Sequence, residues 1–349
     1  SPDLVVALLG TWMAGAVYVP LDPDYPLERL GFMLTDSQAS IVLTHSGLVS
    51  GLPASDAKAI VVDDVGRSRG ARSALFEPVS LAGSDVAYIL YTSGSTGQPK
   101  GVVIDHGGLH NRLCWAQAQF GLDSSDCVLQ KTPYSFDVSV WEFFWPLMSG
   151  SRLHLARPGG HRDPDYLAQV IAEQGVTLLH FVPSMLQSFV GHVPASFLSK
   201  LSSIRHILCS GEALTEALVR RSYAVLPDTV TLHNLYGPTE ASIDVSYWRC
   251  DRQAGGQIPI GYPVANTRLY VLDDHQGLVP AGLVGDLWIS GVQLAQGYWN
   301  RPLLTADCFV SDPYSTEPGA RMYRTGDRVR RLSSGALEYL GRGDSQIKL

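Results

Sequence analysis

The sequence predicts an α/β protein: two doubly wound α/β subdomains, then a smaller β-rich, barrel-like one. Three observations predict it. Up to about residue 256, strand-like apolar runs alternate with helical periods, the pattern of a parallel sheet covered by helices. Beyond Gly255-Gly256 the helical period fades and strands with turns take over. Of the 349 residues, 45% are hydrophobic and 17% charged, a balance that supports a substantial buried core.

The elements follow in order. Ser1-Pro2-Asp3 is an N-cap with proline at the first helical position, opening into the apolar face Val5, Leu8, Leu9, Trp12 and Met13, so a helix runs to Ala14. Residues 17–20 form a strand pattern, 27–35 a helix, 41–44 and 59–62 further strands, together suggesting a parallel sheet. A polar loop is expected over 66–73. Apolar runs at 86–90 and 101–104 predict two short strands around a small-residue loop. Helices near 107–119, 164–174 and 213–225 then separate strands at 176–181, 204–208 and 230–233, and the last strands fall at 267–272, 285–290 and 336–340. The implied division is 1–84, 85–256, 257–340 and a hinge at 341–349. No strand precedes the first helix, and Gln346-Ile347-Lys348-Leu349 is half a strand pattern, so the native polypeptide is expected to continue at both ends.

A net charge of -7 and a pI of about 5.8 argue against a nucleic acid or an anionic membrane as partner. Cys114, Cys127, Cys209, Cys250 and Cys308 form no C-x-x-C pair, which suggests neither a zinc site nor a disulfide framework. No apolar run approaches the roughly 20 residues of a membrane span, and no signal core follows the N-terminus, so a cytoplasmic location is expected.

The richest stretch is Tyr91-Thr92-Ser93-Gly94-Ser95-Thr96-Gly97-Gln98-Pro99-Lys100-Gly101. Glycines let the backbone approach a ligand, the hydroxyls of Thr92, Ser93, Ser95 and Thr96 can donate to phosphate oxygens, and Lys100 adds a point charge. Pro99 stands where a Walker loop requires glycine, so this is a different phosphate loop or a solvated hairpin turn. At Asn234-Leu235-Tyr236-Gly237-Pro238-Thr239-Glu240, an amide could pair with an adenine edge, a ring could stack on the base, Thr239 could bond a phosphate and Glu240 could hold Mg²⁺. The plain alternative is a Gly-Pro turn with polar neighbours. In Tyr323-Arg324-Thr325-Gly326-Asp327 a carboxylate follows an expected tight turn and could accept from two ribose hydroxyls, although Asp is also a default turn residue. Tyr339 and Arg342 add a ring and a guanidinium.

In their order these motifs resemble the adenylation domains of nonribosomal peptide synthetases, within the adenylate-forming superfamily. The segment from Leu9 to Pro26, with Tyr18-Val19-Pro20-Leu21-Asp22-Pro23, is similar to the second core motif of that family. The loop at 91–101 resembles the third, Phe136-Asp137-Val138-Ser139 the fourth, Asn234 to Glu240 the fifth, Gly285 to Pro302 the sixth, Tyr323 to Asp327 the seventh, and Gly341 to Lys348 the start of the eighth. The resemblance implies MgATP-dependent activation of an amino acid as its aminoacyl adenylate, then loading onto the phosphopantetheine of a carrier protein, beside a condensation domain. Lys100, Thr239 and Glu240 become catalytic candidates, with Glu240 on the metal. Thr92, Ser93, Gly94, Ser95, Thr96, Gly97, Asn234, Tyr236, Asp327, Tyr339 and Arg342 become nucleotide contacts. Asp137 favours an α-ammonium over a fatty acid, since a carboxylate in a pocket needs a cation.

Alignment on the motifs implies a substrate pocket of Asp137, Val138, Trp141, His180, Leu208, Ser210, Leu235, Ile243 and Asp244, similar to serine-activating domains. His180, Ser210 and Asp244 would face a short hydroxyl side chain; alanine would leave them unpaired at roughly 1–3 kcal/mol each, and threonine would be excluded by volume. His180 would otherwise read as a core histidine at a strand end. Cys209 should face away from the pocket by strand alternation. The resemblance also implies a mobile C-terminal subdomain bearing a catalytic lysine; none is present here, so slow adenylation and no thioester transfer are expected of this piece. The rival readings are an acyl- or aryl-acid ligase and a noncatalytic nucleotide-binding module.

Overall fold

The computed structural model describes residues 1–65, 77–93, 98–193, 195–253 and 255–343. The expected loop over 66–73, residues Gly94, Ser95, Thr96 and Gly97 of the phosphate loop, and the motif beyond Gly343 lie outside them.

Helix α1 (Pro2–Met13) begins as its sequence requires: Ser1 accepts from the Leu4 N–H and Pro2 needs no donor there. Its inner face buries Val5 and Leu8, and Trp12 donates to the Ala87 carbonyl at 2.7 Å. After α2 (Leu27–Ser37), β1 (Ile41–Thr44) and β2 (Lys58–Val61) pair in parallel, and α3 (Val62–Val65) follows. The expected strand at 17–20 does not form; Tyr18 makes one isolated bridge to Tyr88, and Pro20 has no N–H to extend a ladder. The parallel sheet predicted for this part is two strands, not a doubly wound layer.

Strands β3 (Val86–Thr92) and β4 (Lys100–Asp105) are antiparallel, so the phosphate loop joins a hairpin as expected. Helix α4 (His106–Phe120) starts where the Asp105 carboxylate accepts from the Gly108 N–H at 2.8 Å. The next elements alternate: β5 (Cys127–Gln130), α5 (Val138–Ser149), β6 (Arg152–Leu155), α6 (Pro164–Gln174), β7 (Leu178–Phe181), α7 (Pro183–His192), α8 (Ala195–Leu198), β8 (His206–Cys209), α9 (Glu216–Val225) and β9 (Thr231–Tyr236). With β10 (Ser246–Arg249) and β11 (Tyr262–Pro263) they build a sheet of order β11-β10-β9-β8-β7-β5-β6, parallel from β6 to β9 and antiparallel at β10 and β11. Both faces are covered. Leu178, Leu208 and Leu235 join one core, and Leu179, Phe181, Ile207 and Cys209 the other, as strand alternation demands. Cys209 therefore faces away from Leu208, as expected. Helices α5 and α7 were not marked by period; from Val138 to Pro146 every residue of α5 is buried, so no polar face interrupts the run.

The last part is antiparallel: β12 (Thr267–Leu272), β13 (Val284–Gly291), β15 (Phe309–Ser311), β16 (Arg321–Arg331) and β17 (Leu337–Arg342), with β15 and β17 both on β16. Among the described residues it is an open sheet rather than the barrel-like form expected. β14 (Gly297–Tyr298) instead crosses to β4, and α10 (Pro302–Cys308) is a helix too short to register as a period. The expected tight turn before Asp327 is not a chain reversal: Gly326 has φ of 75° and Asp327 continues within β16.

Candidate active site

Three sites meet at the carboxyl ends of β7, β8 and β9, where open α/β sheets bind ligands. The first is the predicted substrate pocket. His180 and Leu208 are register partners on β7 and β8, Leu235 lies on β9, and Asp137 caps α5, which carries Val138 and Trp141. Trp141 meets the His180 ring edge-on at 6.5 Å. His180 Nε2 and Ser210 Oγ lie 2.9 Å apart, and both residues are buried. Burial, with Lys131 and Arg112 nearby, pushes the His180 imidazole well below its usual range, so it is neutral.

Asp137 accepts from the Val138 N–H at 2.8 Å. Desolvation pushes its carboxyl up to about 7; the Thr239 hydroxyl opposes this, and the negative charges of Asp244 and Glu240 reinforce it. A cation arriving beside Asp137 would remove that penalty. Asp244 is fully enclosed and forms an ion pair with Arg112, whose Nη2 and Nε donate to Oδ2 at 2.7 and 3.2 Å. Ser242 and Ile243, at φ of 52° and 79°, turn the chain between Glu240 and Asp244. Positive φ at a β-branched residue is strained and persists only where the surroundings impose it. Gln293 imposes it, its amide nitrogen donating to the carbonyls of Asp244, Ser242 and Ala241 at 2.9, 3.2 and 3.4 Å. Asn111 in turn donates to Gln293 Oε1 at 2.7 Å, and Asn266 to Asn111 at 2.8 Å.

The second site is a cleft of about 270 Å³ lined by Gly211 to Glu216, Asn234 to Gly237, Gln257, Ile258, Ile260 and Tyr339. Tyr236 and Tyr339 stand 6.2 Å apart across it. The Tyr236 hydroxyl donates to Asp327, which also receives Arg342 Nη1 at 3.4 Å, so these three predicted nucleotide residues converge. Asn234 lines the cleft while its Nδ2 donates to the Pro259 carbonyl at 2.8 Å. The wall at 211–216 was missed as a site from sequence. Its shape depends on Gly211, at φ of 88°, and on Glu212, which accepts from both the N–H and the hydroxyl of Ser184 at 2.8 Å.

The third is the phosphate side. Lys100 Nζ lies 2.9 Å from Glu240 Oε1 and 2.9 Å from the Tyr298 hydroxyl, which itself donates to Glu240 at 2.8 Å. Burial works against the Glu240 carboxylate, but Lys100 and Tyr298 outweigh it and hold the group below its usual range. Thr92 Oγ1 at the loop's entry is buried without a partner among the described residues, and Ser93 is exposed. Tyr298, Arg112 and Gln293, which bond to candidate site residues or their turn, were not indicated by the sequence as candidates.

No helix among the described residues is long and apolar enough to cross a membrane, and no cluster of three or more His, Cys, Asp or Glu side chains there could hold a metal alone. A single carboxylate such as Glu240 nevertheless suits Mg²⁺, which takes one or two carboxylates and completes its shell from phosphates and water.

The family model described as AMP-binding enzyme matches residues 1–299. Among curated proteins, the chain is 49% identical over 355 residues to phosphinothricin tripeptide synthetase PhsB of Streptomyces viridochromogenes, covering all of this chain and 29% of that protein. It is 45% identical over 359 residues to enterobactin synthase component F of Escherichia coli K12, covering 27% of it. The chain thus spans less than a third of these relatives' length. Among solved structures, the nonribosomal peptide synthetase FmoA3 (S1046A) superposes with a TM-score of 0.90 at 31% identity over 98% of this chain and 36% of that one. The Klebsiella oxytoca NpsA N-terminal subdomain, in complex with 3-hydroxybenzoyl-AMSN, gives 0.86 at 28% identity over 98% of this chain and 84% of that one. Fold, cleft and similarity agree: the chain belongs to the AMP-binding enzyme family and is similar, within it, to nonribosomal peptide synthetases.

Proposed function

We propose that the chain activates an amino acid, L-serine before others, by attack of its carboxylate on the α-phosphorus of ATP, giving seryl-AMP and pyrophosphate. The seryl group would then pass to the phosphopantetheine thiol of a carrier protein in an assembly line that includes a condensation domain. The observation that carries the reading is Asp137, a desolvated carboxylate whose expected pocket companions His180, Ser210 and Asp244 are all buried polar groups. An α-ammonium supplies the charge that Asp137 lacks, and a short hydroxyl suits the floor made by Trp141, Leu208 and Leu235.

No protein nucleophile is required, so the chain's part is positioning and charge stabilisation. Asn234, Tyr236 and Tyr339 would hold the adenosine, and Asp327 the ribose. Lys100 and the loop from Thr92 to Gly97 would face the departing pyrophosphate. Glu240 would hold Mg²⁺, which neutralises phosphate charge. The same reading keeps the division at 1–84, 85–256, 257–340 and 341–349.

Amino-acid-dependent exchange of pyrophosphate into ATP, run across all proteinogenic amino acids with the full-length protein, tests this: serine should give the highest kcat/KM, with threonine the leading error. A second reading, an aryl-acid ligase, is favoured by the aryl adenylate analogue named for the NpsA neighbour. It requires that Asp137→Ala leave activity with aryl acids intact and that serine give none.

A further inference from the structure

Of the three polar residues expected to read the substrate's hydroxyl, His180 and Ser210 already satisfy one another at 2.9 Å, and the third, Asp244, is paired with Arg112 through Oδ2 alone. Close by, Arg112 Nη1 and Asp244 Oδ1 are buried without a hydrogen-bond partner among the described residues, and the buried hydroxyls of Tyr88 and Ser242 have at most each other. Their residues come from β3, α4 and the turn after β9, and each is 2% exposed or less. Native proteins leave few such atoms, and a cluster of them points to an occupant that completes the bonding.

We propose that Tyr88, Arg112, Ser242 and Asp244 form the hydroxyl-reading end of the amino-acid pocket, with Arg112 a specificity-determining residue outside the nine pocket positions. The inference rests on the serine reading above and sharpens it. Arg112 could have engaged both carboxylate oxygens of Asp244; instead Nε and Nη2 share Oδ2, leaving one donor on Arg112 and one acceptor on Asp244. Nη1 can only donate and Oδ1 can only accept, while the Tyr88 and Ser242 hydroxyls do either. An alcohol both donates and accepts, so it suits such a set, whereas a methyl group satisfies none of it.

The cluster includes one expected pocket position, Asp244, and Ser242 adjoins another, Ile243. Arg112 acts electrostatically on His180 and Tyr88, and Asp137 acts on Tyr88 as well. Its turn is not free to relax, because Gln293 holds the carbonyls of Ala241, Ser242 and Asp244. The group that would bind is a side-chain hydroxyl on a substrate whose α-ammonium sits at Asp137.

The test is the ratio of kcat/KM for serine to that for alanine, measured by pyrophosphate exchange on the full-length protein. Tyr88→Phe and Ser242→Ala each delete one oxygen; Arg112→Lys and Asp244→Asn keep size but break the fork. Loss of a hydrogen bond to a charged group should lower the ratio roughly tenfold for the latter two and about threefold for the former. The change should fall on KM for serine rather than on KM for ATP. An unchanged ratio in Tyr88→Phe, Ser242→Ala and Asp244→Asn, with collapse in His180→Ala or Ser210→Ala, overturns this inference while the serine reading stands. A wild-type protein without preference for serine overturns the serine reading itself, and this inference with it.

Discussion

Lys100 Nζ sits 2.9 Å from Glu240 Oε1, joining the end of the phosphate loop to the turn after β9 across 140 positions of sequence. The two residues assigned to opposite partners, pyrophosphate and metal, are each other's counter-charge. Tyr298 bonds both, so the trio is a closed triangle on the described chain. In the proposed reaction Lys100 would turn from Glu240 to phosphate oxygens, and Glu240 would be left to hold Mg²⁺. Lys100→Met should therefore slow exchange by roughly 10²- to 10³-fold. It should also destabilise the fold by about 1–3 kcal/mol, since Glu240 would be left buried without its ion partner. Lys100→Met/Glu240→Gln should be less destabilised than the sum of the single changes, which urea denaturation of the four proteins measures.

Asp137 predicts a pH dependence whose sign can be worked out. Its carboxyl is pushed up to about 7, against an ordinary value of 3.8, so between these values the fold holds a proton that the unfolded chain has lost. This costs stability as pH rises from about 4 to 7. It also leaves little carboxylate for an α-ammonium below pH 7. The KM for the amino acid should fall as pH rises from 6 to 8 and then level, with a proton released on binding. Titration calorimetry in buffers of different ionisation enthalpy counts that proton. In Asp137→Asn the KM should be high and flat across the range.

How far the sequence revealed the molecule follows from how local each feature is. The hairpin around the phosphate loop, the β7–β9 strands and the inward set of Leu208 and Leu235 depend on alternation along a few residues, and they were legible. Arg112 was not. On α4 it adjoins the core positions Leu109, Leu113 and Ala116, and a charged residue there reads as solvated until Asp244, 132 positions away, is folded against it. The open last sheet was equally hidden, because closure depends on which strands pair, and β14 pairs with β4 instead. The Asp327 turn misled for a related reason: glycine next to aspartate is common in turns, yet here Gly326 only bends a long strand.

Gly237 is where backbone contact, not side-chain chemistry, sets the pocket. A Cβ there would come within 2.4 Å of the Ile243 carbonyl oxygen and 2.6 Å of Asp244 Cα, both backbone atoms that cannot swing away. Gly237→Ala must push the strained turn outward. About 1–3 kcal/mol of stability should be lost, as in other overpacked sites. The KM for the amino acid should rise more than that for ATP if, as proposed, Ile243 and Asp244 line the substrate side. Steady-state exchange with each substrate varied in turn measures the split.

Gln293 should behave as a positioning residue for the same turn. Its amide nitrogen serves three carbonyls that no ladder satisfies, and its oxygen is held by Asn111, itself anchored to the Ala265 carbonyl at 2.8 Å. Gln293→Glu keeps the shape but replaces the donor with an acceptor that faces carbonyl oxygens. Unpaired buried acceptors cost about 1–3 kcal/mol each, and with them goes the force that holds Ile243 at φ of 79°. The turn should then relax toward ordinary backbone angles, moving Asp244 away from Arg112. Serine selectivity over alanine should fall in step with a rise in the KM for serine. A hydrogen-exchange experiment separates this from general unfolding: faster exchange confined to residues 241–245 marks loss of positioning, whereas faster exchange through β7 and β8 as well would mark a purely structural role.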